Sequence, residues 1–155
     1  MGLFSSKKPV AAEAPVPEGE RVSVGVVGVG NMGRHHARLL SGLPVARLVG
    51  VADPDLSRAQ ALAKEHRTHA FARAEEFPAD TRAVIIAAPT PTHFPLAKSF
   101  LNRGWHCFIE KPLTERVEDA EEIIELARQK NLVLQVGHIE RFNPAVVEMV
   151  RQAKD

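Results

Sequence analysis

Short apolar runs alternate with stretches of helical period along most of this chain. Residues 22–28, 47–53, 83–87, 105–109 and 133–136 are nearly continuous in Val, Ile, Leu, Ala, Phe and Gly, with a weaker run at 68–71. Continuous apolar runs, unlike alternating ones, predict strands covered on both faces, as in a parallel sheet between helices. Residues 31–40, 55–66, 92–103 and 115–130 carry helical patterns, and Asn143-Pro144 opens one more helix that runs to Asp155. The helix at 115–130 reads with Thr114 as N-cap and with Glu115, Glu118 and Asp119 in its positive first turn. Its apolar stripe reads as Val117, Ala120, Ile124 and Ala127. Gly104 stands where a glycine that ends a helix belongs. Strand and helix alternate with no internal repeat, which predicts an α/β fold with a doubly wound parallel sheet.

The junction of the first strand and first helix carries the chemistry. There Val24-Gly25-Val26-Val27 runs into Gly28-Val29-Gly30-Asn31-Met32-Gly33, a G-x-G-x-x-G opening a helix. At a dinucleotide site each glycine serves a separate purpose. Gly28 turns the chain, Gly30 admits a pyrophosphate, and Gly33 lets the helix pack close. Asn31 and Met32 lie between them at the helix N-terminus. The second strand closes on Asp53, about 20–25 residues further on, where a Rossmann βαβ unit places the carboxylate that accepts ribose hydroxyls. Asp53-Pro54-Asp55 reads equally as a helix start, with Asp53 as N-cap and Pro54 first in the helix. A carboxylate at the ribose disfavours a 2′-phosphate, so the cofactor reads as NAD; Ser57 and Arg58 keep NADP as the alternative.

Composition changes this picture little. A chain of 155 residues with a net charge of +1 suits one domain and offers no electrostatic case for nucleic acid or an anionic membrane. No apolar run approaches the roughly 20 residues of a membrane span. The single Cys107 lies in an apolar run, excludes an internal disulfide and reads as a buried inert thiol in a reducing, cytoplasmic setting. The seven histidines show no ligand spacing with a carboxylate or cysteine, so no metal site is expected. Residues 1–20, rich in Pro, Ala, Glu and Lys, read as a disordered leader. Residues 1–6 match the N-myristoylation pattern, with Lys7-Lys8 beside it, against the plainer reading of a flexible tail.

Two loops at the carboxyl ends of strands narrow the function. Pro89, Thr90 and His93 follow the fourth strand, where ligands sit in open parallel sheets, and Thr92 doubles as a cap for the next helix. Glu110-Lys111-Pro112 ends the fifth strand, with a Lys111-Pro112 bond that a tight turn favours as cis. Together with Gly137-His138 and Arg141-Phe142-Asn143-Pro144, these motifs occur in one order. From Arg21 to Asp155 the chain resembles the glucose–fructose oxidoreductase/inositol dehydrogenase family, Gfo/Idh/MocA.

That resemblance implies an NAD(P)-dependent oxidoreductase acting on a secondary alcohol of a sugar, nucleotide sugar or cyclitol. It implies Lys111 as the catalytic group on the reacting oxygen, an assignment that physics supports, since an ammonium there stabilises an alkoxide. Glu110 is implied to hold the cofactor and orient the lysine. His138 and Arg141 lie where the substrate is expected, with a structural ion pair the other reading for Arg141. The division reads as leader 1–20, nucleotide-binding domain 21–142 and the start of a crossover helix at 143–155. The family's second, largely β-sheet domain, which carries the base, the sugar contacts and commonly the oligomer interface, is read as missing from the chain. The 155-residue chain is accordingly expected to fold and bind cofactor without catalysing, with Val146, Val147, Met149 and Val150 partly exposed. A non-catalytic NAD-binding module and a biliverdin reductase-like enzyme are the alternatives.

Overall fold

The computed structural model describes residues 16–153. The acylation pattern at 1–6 and Lys7-Lys8 lie outside the described residues. The last residues of the expected leader are described, and Glu18–Glu20 form one 3-10 turn, so local structure begins before residue 21.

Six strands make one sheet: β1 (Val22–Val27), β2 (Ala46–Ala52), β3 (Ala70–Phe71), β4 (Ala83–Ile86), β5 (His106–Ile109) and β6 (Leu134–Val136). Their order is β3-β2-β1-β4-β5-β6 with every neighbouring pair parallel, a Rossmann sheet. The chain winds outward from β1 through β3, then returns to the centre at β4. The crevice at the carboxyl ends of β1 and β4 is therefore the switch point.

Helices α1 (Asn31–Gly42) and α2 (Leu56–His66) cover one face, burying Ala37, Leu40, Ala59 and Leu62 with Val26 and Val51. Helices α3 (His93–Asn102) and α4 (Val117–Gln129) cover the other, burying Phe100, Leu101, Ile123 and Ala127 with Ile86 and Ile109. Covering on both sides is why the strand runs are continuously apolar. Gly104, at φ +81°, turns the chain out of α3 as expected. Helix α5 (Pro144–Gln152) is capped by Asn143, whose side chain accepts the Ala145 N–H at 3.0 Å. It buries no residue, and Val147, Met149 and Val150 are 45–62% exposed. Among the described residues no helix is long and apolar enough to cross a membrane.

Three sequence expectations are corrected. The N-cap of α2 is Asp55, not Asp53, so Pro54 precedes the helix; the Asp53 carboxylate is drawn away to the backbone amides of Val29 and Asp55. The N-cap of α4 is Arg116, and the Thr114 hydroxyl donates to the Arg116 carbonyl at 2.7 Å rather than accepting from the helix. The buried face of α4 runs through Ile123 and Ala127, leaving Val117 70% and Ile124 43% exposed. Ile123 and Ile124 both fit a helical stripe, and packing against α3 and the sheet selects Ile123.

Cys107 is 2% exposed in the middle of β5, and burial pushes its thiol up to about 12. The thiolate is the nucleophile, so native protein at pH 8 is expected to resist iodoacetamide and to label fully once unfolded, read by intact mass. Labelling of the native chain at the rate of a free thiol would show that β5 opens.

Candidate functional site

The switch point is built mainly from backbone. After Val27 the chain turns through Gly28 at φ +84°, a conformation that glycine alone enters without strain. A Cβ at Gly28 would stand 2.6 Å from the Ala87 carbonyl oxygen at the end of β4. At Gly33, in the first turn of α1, a Cβ would stand 1.8 Å from the Gly28 carbonyl oxygen. Helix α1 thus docks backbone to backbone on the loop that introduces it. Gly30 differs, because no protein atom lies within 4 Å of where its Cβ would be, and that space opens into a cleft. Gly30 is also the N-cap of α1, and no side chain caps this helix. Uncapped first-turn amides at the positive end of a helix dipole, reached past a residue without a side chain, suit a pyrophosphate.

Asp53 closes β2 beside this loop. One carboxylate oxygen accepts the Val29 N–H at 2.9 Å and the other accepts the Asp55 N–H at 2.9 Å. The side chain thereby ties the glycine loop to the end of β2. A carboxylate has about four acceptor positions, so half of its capacity remains for a ligand in the cleft that it lines.

The cleft has a volume of about 890 Å³. It gathers Gly28, Gly30, Asn31, Met32, Asp53 and Pro89 of the expected cofactor residues. Thr92 lines it in place of Thr90, which starts the 3-10 turn Thr90–Thr92 beside it. Arg58 and Arg73 line it too. Arg58 is paired with Asp55 at 3.1 Å, and the Ser57 hydroxyl, then the Arg58 amide, hold that carboxyl below its ordinary range. No sequence motif marks Arg73, which lies in a short irregular segment.

His93 requires a correction. Read from sequence as a cofactor contact, it is 1% exposed, with Nδ1 2.9 Å from the Pro112 oxygen and Nε2 2.8 Å from the Ala88 oxygen. Both ring nitrogens meet backbone carbonyls, which leaves no polar atom for a ligand.

Glu110 and Lys111 stand at the end of β5, outside the cleft lining, and divide the work between inside and outside. Glu110 is 6% exposed, and its Oε1 lies 2.7 Å from His36 Nε2 on α1. The His36 ring is edge-on to Phe108 with centroids 5.3 Å apart. A Cβ on Gly137 would stand 3.0 Å from the Glu110 carboxylate, so the start of the β6 loop closes over it. The Lys111 backbone N–H donates to Glu110 Oε2 at 3.3 Å, while the Lys111 side chain is exposed. Glu110 is thus a buried brace for the turn that presents Lys111 and makes no approach to the cleft. No local sequence signal pairs His36 with Glu110, although His36 neighbours Ala37 on the helix face that Gly33, Ala37 and Leu40 bury. The Lys111–Pro112 peptide is cis, as expected. His138 and Arg141 follow β6, both exposed, with Arg141 in the 3-10 turn Ile139–Phe142; among the described residues no ion pair to Arg141 is seen.

Known proteins share this fold. UDP-N-acetylglucosamine 3-dehydrogenase of Acidithiobacillus ferrooxidans is 42% identical over 129 residues, 83% of this chain and 40% of that protein. Its solved structure superposes with a TM-score of 0.78 and 41% identity, covering 86% of this chain and 43% of the other. Inositol 2-dehydrogenase of Rubrobacter xylanophilus is 38% identical, over 82% of this chain and 38% of that protein. Scyllo-inositol dehydrogenase of Lactobacillus casei, solved with bound NAD(H) and scyllo-inositol, superposes with a TM-score of 0.77 at 28% identity, over 86% of this chain and 42% of the other. The chain spans about 40% of the length of these relatives. Residues 22–138 match the family model described as an oxidoreductase family with an NAD-binding Rossmann fold. With that match across the strands and loops just described, the chain belongs to the Gfo/Idh/MocA oxidoreductase family.

Proposed function

We propose that residues 21–142 form the nucleotide-binding domain of an NAD(P)-dependent oxidoreductase acting on a secondary alcohol of a sugar, nucleotide sugar or cyclitol. The observation that carries this reading is the meeting of an uncapped glycine loop, Asp53 and an open cleft at the switch point, with Lys111 presented at the end of the neighbouring β5. The relatives named for UDP-N-acetylglucosamine and inositol support the substrate class. The single thiol fits a cytoplasmic setting.

When bound, the nicotinamide cofactor supplies the hydride acceptor. The first-turn amides of α1 bind the pyrophosphate, and the free acceptor positions of Asp53 take the ribose hydroxyls. The Lys111 ammonium hydrogen-bonds the substrate oxygen and stabilises the negative charge that grows there as the carbon gives up hydride. In the reverse direction the same Nζ holds the proton for the carbonyl oxygen. Glu110 keeps the backbone of this turn in place, and His138 and Arg141 contact the substrate.

Calorimetric titration with NAD and NADP tests the reading. Wild type is expected to bind NAD, and Asp53→Ala to lose about 1.5–3 kcal/mol of that affinity, the value of hydrogen bonds to a charged group. NADP affinity is expected to hold or rise, because a repelling charge has gone. Equal losses for both cofactors would reduce Asp53 to a loop tie, and a wild type that binds neither would overturn the assignment.

A further inference from the structure

The ladder between β4 and β5 ends one bond past the strands, with the Glu110 N–H donating to the Ile86 carbonyl at 2.9 Å. Beyond it, among the described residues, no backbone hydrogen bond joins residues 88–92 to residues 111–114. These two loops are the ones that line the proposed cofactor cleft and present Lys111. One side chain spans the gap. His93 sets Nε2 2.8 Å from the Ala88 oxygen and Nδ1 2.9 Å from the Pro112 oxygen, at 1% exposure.

We propose that His93 is a positioning residue that staples the cofactor-side loop to the Glu-Lys-Pro turn and so sets where Lys111 stands against the nicotinamide end of the cofactor. This rests on the nucleotide-site reading above. Imidazole suits such a link because its two nitrogens sit on opposite sides of a rigid ring. With its proton on Nδ1 the neutral ring donates to the Pro112 carbonyl, and its own backbone at the start of α3 carries that bond to the 88–92 loop. A partly buried carbonyl that loses its donor must find another in water, so the loop that carries it is released. Leucine fills the space and donates nothing, whereas glutamine restores an N–H donor on a side chain of comparable size.

The test compares the full chain as wild type, His93→Leu and His93→Gln by amide hydrogen exchange and by titration with NADH and with ADP-ribose, which lacks the nicotinamide. The informative amides are Thr92, bonded to the Pro89 oxygen, and Lys111, bonded to Glu110, since each is held only within its own loop. In His93→Leu both are expected to exchange about tenfold faster, while β1 and β2 amides keep wild-type protection and certify the fold. NADH is expected to bind about tenfold more weakly, because the released loop of Ala88, Pro89 and Thr92 lines the cleft and no longer meets the nicotinamide end. ADP-ribose is expected to bind as in wild type, a split that general destabilisation does not produce. His93→Gln is expected to recover part of both readouts. Unchanged exchange in either loop, equal losses of NADH and ADP-ribose, or glutamine no better than leucine would overturn the staple. Should β1 and β2 lose protection in the leucine variant, the glutamine variant decides: near wild-type loops and NADH affinity support the staple, and leucine-like values overturn it. A wild type that binds neither ligand overturns the nucleotide reading instead, and the exchange pattern alone then judges the staple.

Discussion

Replacing Lys111 by alanine is expected to lower kcat by about 100-fold or more in the active protein. That is about 2.7 kcal/mol of transition-state stabilisation. NAD affinity should stay within about twofold, because Lys111 lies outside the cleft built by the glycine loop and Asp53. The distinction follows from the division at the end of β5, where the buried Glu110 carries the architecture and the exposed lysine is left for chemistry. Steady-state NADH formation with UDP-N-acetylglucosamine and with myo-inositol, beside calorimetry with NAD, separates the two effects. A variant that loses NAD affinity but keeps its kcat would make Lys111 a cofactor clamp and move the chemistry elsewhere. Lys111→Arg is a useful companion. It keeps the charge but spreads it over a planar fork, so recovery short of wild type would point to a compact ammonium donor.

Substituting His36 with leucine is expected to cost about 3 kcal/mol of stability, the largest single loss anticipated outside the central core. The residue removed is a partner rather than a packing element. His36 and Glu110 side chains are 12% and 7% exposed and 2.7 Å apart, and the carboxylate's other hydrogen bond is the longer one from the Lys111 amide. Leucine leaves that carboxylate buried without its best donor. Urea unfolding of His36→Leu, Glu110→Gln and the double variant closes a thermodynamic cycle. The double variant should be more stable than the sum of the single losses implies, because glutamine removes the charge that leucine strands. Simple additivity would show that the pair is a neighbourly contact without coupling.

Most of the architecture was legible from periodicity, because a sheet covered on both faces leaves an unbroken apolar signature in each strand. Among the described residues each strand and helix begins within about three residues of its apolar or helical run, inside the normal spread of element boundaries. The glycine loop was legible for a similar reason: each glycine answers a local steric demand, as the close approaches at Gly28 and Gly33 show. What escaped was decided by groups far apart in the chain. Asp53 and Asp55 both qualify as caps by type, and the choice rests on Val29, 24 residues away, whose amide takes Asp53. His93 looks like a polar atom offered to a ligand until Pro112, 19 residues on, is seen to occupy its Nδ1. Glu110 and His36 are separated by 74 positions, and neither has a local feature naming the other. Sequence patterns report local demands well, but pairings of polar groups across layers appear only once the layers are assembled.

The two backbone amides held by Asp53 bear on any attempt to retune this protein for NADP. The usual exchange of the ribose carboxylate for a small or basic residue would remove a repelling charge and, in the same stroke, release Val29 and the turn at Asp55. Gains from the first change would be eroded by a looser phosphate loop, so a single-site library at position 53 should yield relaxed, weak binders rather than switched ones. A successful redesign would have to give Val29 a new acceptor before recruiting Arg58 or Arg73 to the phosphate.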